Sequence, residues 1–436
     1  MKLSALLLIT PLAAAAADSL APTPPMGWNS WDSYGTTVTE AEVKANADYM
    51  ADRLKSHGWQ YVVVDIQWSE PHPQTHGYRP NADLVTDEYG RLTPATNRFP
   101  SAAGGQGFRP LADFIHAQGL KFGIHIMRGI PRKAAAANVP VFGSPARAAA
   151  IAGLTSLCRW NTDMYGVDMS KPGAQDYYDS ILQLYAAWGV DYIKADDIAI
   201  PFHGDEIAAL HRAIVKSGRP IVLSLSPGPA DLAKADFYAA NANLWRISGD
   251  FWDRWRDLRA TFDLLDKWSR YTQPGAWPDA DMLPLGHIGI RAERGDNRMT
   301  RLTRDEQRML MSLWSIARSP LMFGGDLPTN DDFTLSLLTN DEVLAADQNA
   351  TGSRKLFQRG DQIAWTSDAV GSRAKYLAVF NVGDQAPLEI RVDWSDLGLP
   401  PTCALRDLWE KKDLGQVKAG YTFKLPPHGS GLYRIQ

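Results

Sequence analysis

Six short apolar runs of this chain end in, or are followed at once by, side chains able to do chemistry. They place Trp28 and Trp31 after the first run, Asp65 and Trp68 after the second, and His125 and Arg128 after the third. The fourth ends in Lys194, Asp196 and Asp197, the fifth in Ser224 and Ser226, and the sixth in Arg246 and Asp250. Carboxylates, two cations and several indoles form a sugar-shaped environment, because flat aromatic faces stack on the apolar C–H faces of a pyranose. Two acids from different strands are what cleavage of a glycosidic bond requires. A lone Asp at a strand end is more often an N-cap for the next helix than a catalytic group. Three such ends carrying Asp, with Lys194 two residues before Asp196 and Arg246 four before Asp250, point instead to a site whose charges tune one another. His125 by itself reads equally as a site residue or as a hydrogen-bonded structural one. No two His sit at ligand spacing, so no metal is expected. GGQG (104–107) lacks the Lys and Ser/Thr of a phosphate-binding loop and reads as a plain turn. LSLSPG (223–228) lacks the Gly two residues before either Ser that a nucleophile elbow needs.

These groups need a scaffold that brings several strand ends together. Four times a helical pattern ends on Gly and passes straight into a short apolar run: GWQYVVVD (58–65), GLKFGIH (119–125), GVDYIKAD (189–196) and GRPIVLSLS (218–226). Gly just past a helix end followed by β-branched residues is the junction from helix to buried parallel strand. The first helix is the clearest. Thr39 with Glu42 makes a capping box, Val43, Ala47, Met50 and Leu54 share a face, and Gly58 ends it. Similar helices are predicted around Leu111–Ala117 and Tyr177–Trp188. Further strands at Met26–Asn29, Leu244–Ile247, just before Trp277, and Leu321–Phe323 bring the number to eight. The sum is an α/β fold, a (β/α)8 TIM barrel over 22–350, with an open doubly wound sheet as the alternative. Active groups of such barrels project from the C-terminal ends of the strands, where the six polar sets lie.

After Gly352 the texture changes to short alternating runs, IAWTS (363–367), KYLAVFNV (375–382), LEIRV (388–392), YTFKL (421–425) and GLYRI (431–435), separated by turn residues. A C-terminal antiparallel β-sandwich is expected over 353–436. At the other end MKLSALLLITPLAAAAAD has the layout of a secretory signal peptide, 1–17, with cleavage near Ala17. No later segment is apolar enough to span a bilayer, so a secreted or periplasmic protein free of the membrane is expected. The 45 Lys and Arg against 49 Asp and Glu, with no long basic run, argue against a nucleic-acid partner. Nothing in the sequence specifies an oligomeric state. Two cysteines, Cys158 and Cys403, cannot build a disulfide framework.

With these residues in hand, the chain resembles the retaining α-galactosidases of glycoside hydrolase family 27, the melibiase type. PPMGWNSW (24–31) resembles that family's opening signature and DYIKAD (191–196) its nucleophile strand. WRISGD (245–250) resembles its acid/base segment, and WPDADML (277–283) a following barrel motif. The likeness runs from Pro22 to Gln436. It implies Asp196 as nucleophile, Asp250 as general acid/base, and Trp31, Asp65, Lys194 and Arg246 as contacts to the sugar, with Trp68 also placed against it. The implied reaction is a double displacement through a glycosyl-enzyme that needs no cofactor, on a plant-type oligo- or polysaccharide. The alternative of another class is a catalytically silent carbohydrate-binding protein, against which the retention of both acids argues.

Departures from the family pattern refine that expectation. Two consecutive Asp are common at the end of the second strand, where this chain has Asp65 and Ile66. The second carboxylate helps hold the hydroxyls around C4 and C6, and Ile66 would leave a hydroxymethyl OH without a partner. β-L-Arabinopyranose has the ring configuration of α-D-galactopyranose without that hydroxymethyl group, and the family includes β-L-arabinopyranosidases. A β-L-arabinopyranoside is therefore the favoured substrate, and an α-D-galactoside the alternative. The usual Tyr after the third strand is His125, and a common Glu or Asn near the sugar 2-position is Ser226. The Asn-Cys pair after the nucleophile is Asp197-Ile198, so the family's disulfide there cannot form and Cys158 is expected as a buried free thiol.

Overall fold

The computed structural model describes residues 20–79 and 81–436, so the expected signal peptide lies outside the described residues. Eight short strands form one parallel sheet: β1 (Met26–Asn29), β2 (Tyr61–Val64), β3 (Lys121–Met127), β4 (Tyr192–Asp196), β5 (Val222–Leu225), β6 (Leu244–Arg246), β7 (Trp277–Asp279) and β8 (Leu321–Phe323). From β1 to β7 each strand pairs with the next in chain order, and β1 pairs on its other side with β8. A parallel bridge from Leu283, just past β7, to Phe323 of β8 closes the ring. The fold is thus the TIM barrel, and the open doubly wound alternative is excluded. The strand expected before Trp277 begins at Trp277 itself, whose indole fills the barrel interior and donates to the Ala21 carbonyl at 2.8 Å.

Strand alternation sorts the side chains into two layers. Tyr61, Val63, Tyr192, Val222, Leu244 and Trp277 share one apolar cluster inside the barrel. The intervening residues, among them Val62, Val64, Ile193, Ala195, Leu223 and Trp245, belong to the larger cluster beneath the helices. The same period carries Asp65, Lys194, Asp196, Ser226 and Arg246 inward, above that apolar plug. This is how alternation in sequence becomes convergence in space.

The helices follow from local signals. Thr39 and Glu42 cap α1 (Glu40–Tyr49) reciprocally, with the Thr39 N–H donating to Glu42 Oε2 at 2.9 Å. The chain continues through a π turn at Met50–Leu54 and a 3-10 turn to Gly58, rather than as one regular helix. Met50 and Leu54 remain fully buried, so packing overrides regular helical geometry there. Gly58 takes the left-handed φ of 95° that stops the helix. Next come α2 (Arg109–Ala117) and α3 (Ala174–Ala187), close to their predicted positions, then α4 (Gly204–Ser217), α5 (Ala235–Asn241), α6 (Trp255–Trp268) and α7 (Arg304–Ala317). Between β3 and α3 lies an excursion that the sequence reading did not anticipate. There Ile130–Pro131, Met164–Val167 and Ala152–Leu157 form a small antiparallel sheet.

The C-terminal unit is a six-stranded antiparallel sheet facing an antiparallel pair, Leu388–Asp393 with Gly420–Leu425. All five predicted strand runs are present. Ala350–Arg359, Thr402–Asp407 and Lys412–Lys418 are additional, and the largely exposed Lys412–Lys418 lacks the apolar alternation that would announce it. Val379, Ile390, Trp394 and Phe423 fill the space between the sheets. The opposite face of the large sheet, with Trp365 and Phe380, packs on the barrel helices, Phe262 of α6 meeting Phe380 edge-on at 4.9 Å.

Candidate active site

A pocket of about 280 Å³ opens at the C-terminal ends of the strands. Its wall includes Trp31, Asp65, Ile66, Lys194, Asp196, Ser226, Arg246 and Asp250, eight of the ten residues expected as catalytic acids or sugar neighbours, the other two being Trp68 and His125. His125 lies beneath that wall. Its Nε2 donates to Asp196 Oδ2 at 3.0 Å, and the pair is buried. Trp68 is the correction. Its indole packs edge-on against Phe108, Tyr185 and Trp188 under the helix layer and donates to the His125 carbonyl at 2.7 Å. The turn after β2, with Gln67 at φ 61°, carries Trp68 back away from the pocket. Trp28, Trp245 and Trp277 are likewise fully buried packing groups.

Asp65 is the most constrained carboxylate. Its Oδ2 accepts from Lys194 Nζ at 2.9 Å and from Asn29 Nδ2 at 2.8 Å, while Oδ1 accepts from the Ile66 N–H at 2.8 Å. Asn29 Oδ1 in turn accepts from the Trp31 N–H at 2.9 Å, which fixes the indole relative to Asp65. Burial raises the carboxyl of Asp65, but the Lys194 ammonium outweighs it with help from His125, and the group is held at about 2. Lys194 itself is disfavoured by burial yet kept charged by Asp65 and Asp196. Ile66 is 2% exposed and joins Met127 and Met322 in the barrel cluster, so the pocket beside Asp65 is walled by hydrocarbon.

Asp196 and Asp250 occupy contrasting surroundings. Asp196 is buried, a condition that raises a carboxyl. The His125 hydrogen bond, the charges of His125 and Lys194, and the Asp197 N–H at 2.9 Å from Oδ1 together bring it below its ordinary value. It is ionised at neutral pH. Asp250 has a side chain 45% exposed at the pocket mouth, with Oδ1 3.2 Å from an Arg246 nitrogen. The same nitrogen lies 2.8 Å from Asp281 Oδ2, so one guanidinium ties the two acids. Burial pushes Asp281 up to about 7, against Arg246 and with Asp250 and Asp279 adding to the rise. Its φ of 92° is strained for a residue with a Cβ, a cost tolerated mainly where position matters.

Several wall residues were not singled out from sequence: Asp32, Tyr78, Trp160, Trp252, Asp281 and Met282. Asp281 stands inside WPDADML and one inward position beyond Asp279, a signal that alternation carried. Tyr78 and Trp160 come from loops, where no period exists to find them. Trp31 stacks on Tyr78 with centroids 5.6 Å apart, and Tyr78 meets Trp160 at 5.4 Å. Trp160 is 39% exposed, so this aromatic row leads from the pocket to solvent. Behind the site, Arg128 pairs with Asp197 at 2.7 Å and Glu206 at 2.8 Å, with Cys158 buried nearby as a free thiol. An ionised buried acid, a second acid at the mouth, two fixed cations and stacked aromatics can bind one sugar ring and exchange groups at its anomeric carbon.

Comparison with known proteins agrees with this geometry. A family model described as alpha galactosidase A matches residues 23–163 and 162–349, and that of the alpha galactosidase C-terminal beta sandwich domain matches 359–435. The crystal structure of a GH27 β-L-arabinopyranosidase from Geobacillus stearothermophilus is similar, with 55% identity and a TM-score of 0.94 over 96% of this chain and 97% of that one. A second structure of that enzyme, a variant in complex with arabinose, matches with the same identity and TM-score, over 96% of this chain and 98% of that one. An alpha-galactosidase of Coffea arabica is 31% identical over 432 residues, 96% of this chain and 94% of its own.

Proposed function

Because the chain belongs to the alpha galactosidase A family, and is thereby a retaining glycoside hydrolase of family 27, we propose that it removes terminal β-L-arabinopyranose units through Asp196 and Asp250. The observation that carries the choice of sugar is Ile66 in the pocket wall beside Asp65. A hydroxymethyl OH placed there would lose its water without gaining an acceptor, whereas a pentopyranose presents only C–H to the Ile66 hydrocarbon. The 55% identity to the Geobacillus stearothermophilus β-L-arabinopyranosidase supports the same reading.

In the proposed reaction the Asp196 carboxylate attacks the anomeric carbon while protonated Asp250 gives its proton to the departing oxygen. The glycosidic bond breaks and an ester bond to Asp196 forms. Asp250, now a carboxylate, takes a proton from water, whose oxygen displaces Asp196, and the sugar leaves with its configuration retained. The environments suit these roles: Asp196 is held ionised by His125 and Lys194, and Asp250 faces the mouth where a leaving group departs.

The second reading, an α-D-galactosidase, is favoured by the likeness to the Coffea arabica enzyme. One CH2OH is worth only about 1–3 kcal/mol of discrimination, so both sugars are expected to be cleaved at unequal rates. The decisive test is kcat/KM on aryl β-L-arabinopyranoside and aryl α-D-galactopyranoside side by side. A higher value for the arabinoside is expected, and a large preference for the galactoside refutes the choice. We further propose a plant-type oligo- or polysaccharide as the natural substrate and export directed by the N-terminal leader.

A further inference from the structure

Asp32 follows the sugar-facing Trp31 and lines the pocket, yet it is 2% exposed and its Oδ2 has no hydrogen-bond partner among the described residues. The backbone around it is firmly held. The Gly289 N–H donates to the Asp32 carbonyl at 2.8 Å, and Ser33 Oγ donates to the Gly324 carbonyl at 2.7 Å. Gly324 gives the carboxyl its room, since a Cβ there would stand 2.0 Å from Oδ2. A buried polar group without a partner is unfavourable, and such groups persist where a ligand or a reaction uses them. Asp65 and Asp196 satisfy both oxygens within the protein, and Asp281 satisfies Oδ2 through Arg246 and the Phe251 N–H. Asp32 Oδ2 is the one carboxyl oxygen of the wall that is both buried and without a partner among the described residues.

We propose that Asp32 is a sugar-binding residue, its carboxyl completed by a ring hydroxyl of the bound pyranose. The assignment rests on the pocket holding a pyranose, as proposed above, and adds a contact from the turn after β1, the strand next to β2, which supplies the Ile66 wall. Burial, and then the charge of Asp281, push the Asp32 carboxyl well up, with Asp65 and Asp250 adding to the rise and Lys194 opposing it. The rise favours the neutral acid, a form that can both donate to and accept from a hydroxyl. A hydroxyl reaches this group without adding charge to a site already crowded with carboxylates.

The test is calorimetric titration of L-arabinose and D-galactose into the unmodified protein, Asp32→Ala and Asp32→Asn, with Tm measured for each. Asp32→Ala is expected to weaken sugar binding roughly 10-fold or more with Tm equal or higher, because an unpartnered buried acid is removed. Asp32→Asn, which can also donate and accept, is expected to restore most of the affinity. Unchanged binding in Asp32→Ala overturns the proposal, as does a loss that comes with a fall in Tm, or Asn failing to restore it. An unmodified protein that binds galactose and not arabinose refutes the arabinopyranoside reading instead, and the Asp32 comparison is then read on galactose.

Discussion

Ile66→Asp bears hardest on the sugar preference. The Ile66 side chain is 2% exposed, its N–H already donates to Asp65 Oδ1, and Lys194 stands 2.9 Å from Asp65 Oδ2. A carboxylate introduced there has a cation within its neighbourhood and an acceptor to offer a hydroxymethyl OH. A hydrogen bond to a charged acceptor is worth about 1.5–3 kcal/mol, or about 10- to 150-fold in the ratio of kcat/KM for α-D-galactoside over β-L-arabinopyranoside. The arabinoside loses apolar contact at the same time, which moves the ratio the same way. Losing a buried Ile lowers stability by about 1.5–3 kcal/mol before the new charge is counted, so Tm should fall. Ile66→Val keeps the hydrocarbon wall and adds no acceptor, and should leave the ratio within about threefold. Paired kinetics on the two aryl glycosides decide the matter. An unmoved ratio in Ile66→Asp, or an equal shift in Ile66→Val, would refute the reasoning.

Three further outcomes follow from the geometry. His125→Ala removes the Nε2 donor 3.0 Å from Asp196 that helps hold that carboxyl below its ordinary value. Since Asp196 must be ionised to attack, the acid limb of kcat/KM should move to higher pH, and a limb that stays in place contradicts the assignment. Trp160→Ala takes away the exposed end of the aromatic row. It should raise KM for an arabinosyl disaccharide while leaving inhibition by free L-arabinose unchanged; equal weakening of both would place Trp160 against the terminal sugar instead. For export, the intact mass of protein recovered from the periplasm or medium should correspond to a chain beginning near Asp18, and a full-length mass there would contradict cleavage.

The barrel was legible because its signals are local and repeated. Four glycine-terminated helices leading into β-branched runs fix both element types, and strand alternation then turns Asp65, Lys194, Asp196 and Arg246 to one side without any contact being known. His125 shows the limit of that logic, since the sequence left it between a site role and a structural one and only the structure seats it under Asp196. Trp68 was misplaced because a turn with a left-handed residue at Gln67 breaks the strand period before the indole is reached. Tyr78 and Trp160 were invisible for a related reason: a loop residue's position is set by tertiary packing, which short-range patterning does not encode. Asp32 lay next to Trp31 in plain view, but its importance rests on a missing partner, and the absence of a contact cannot be seen in one dimension.

The central claim is a covalent intermediate on Asp196. Asp250→Ala should still be glycosylated by an aryl β-L-arabinopyranoside whose leaving group needs no protonation, but should hydrolyse the intermediate slowly. Peptide mass mapping of that variant after mixing is predicted to find one pentosyl group, carried on Asp196. A pentosyl group on any other residue, or turnover with no covalent sugar at all, would contradict the account.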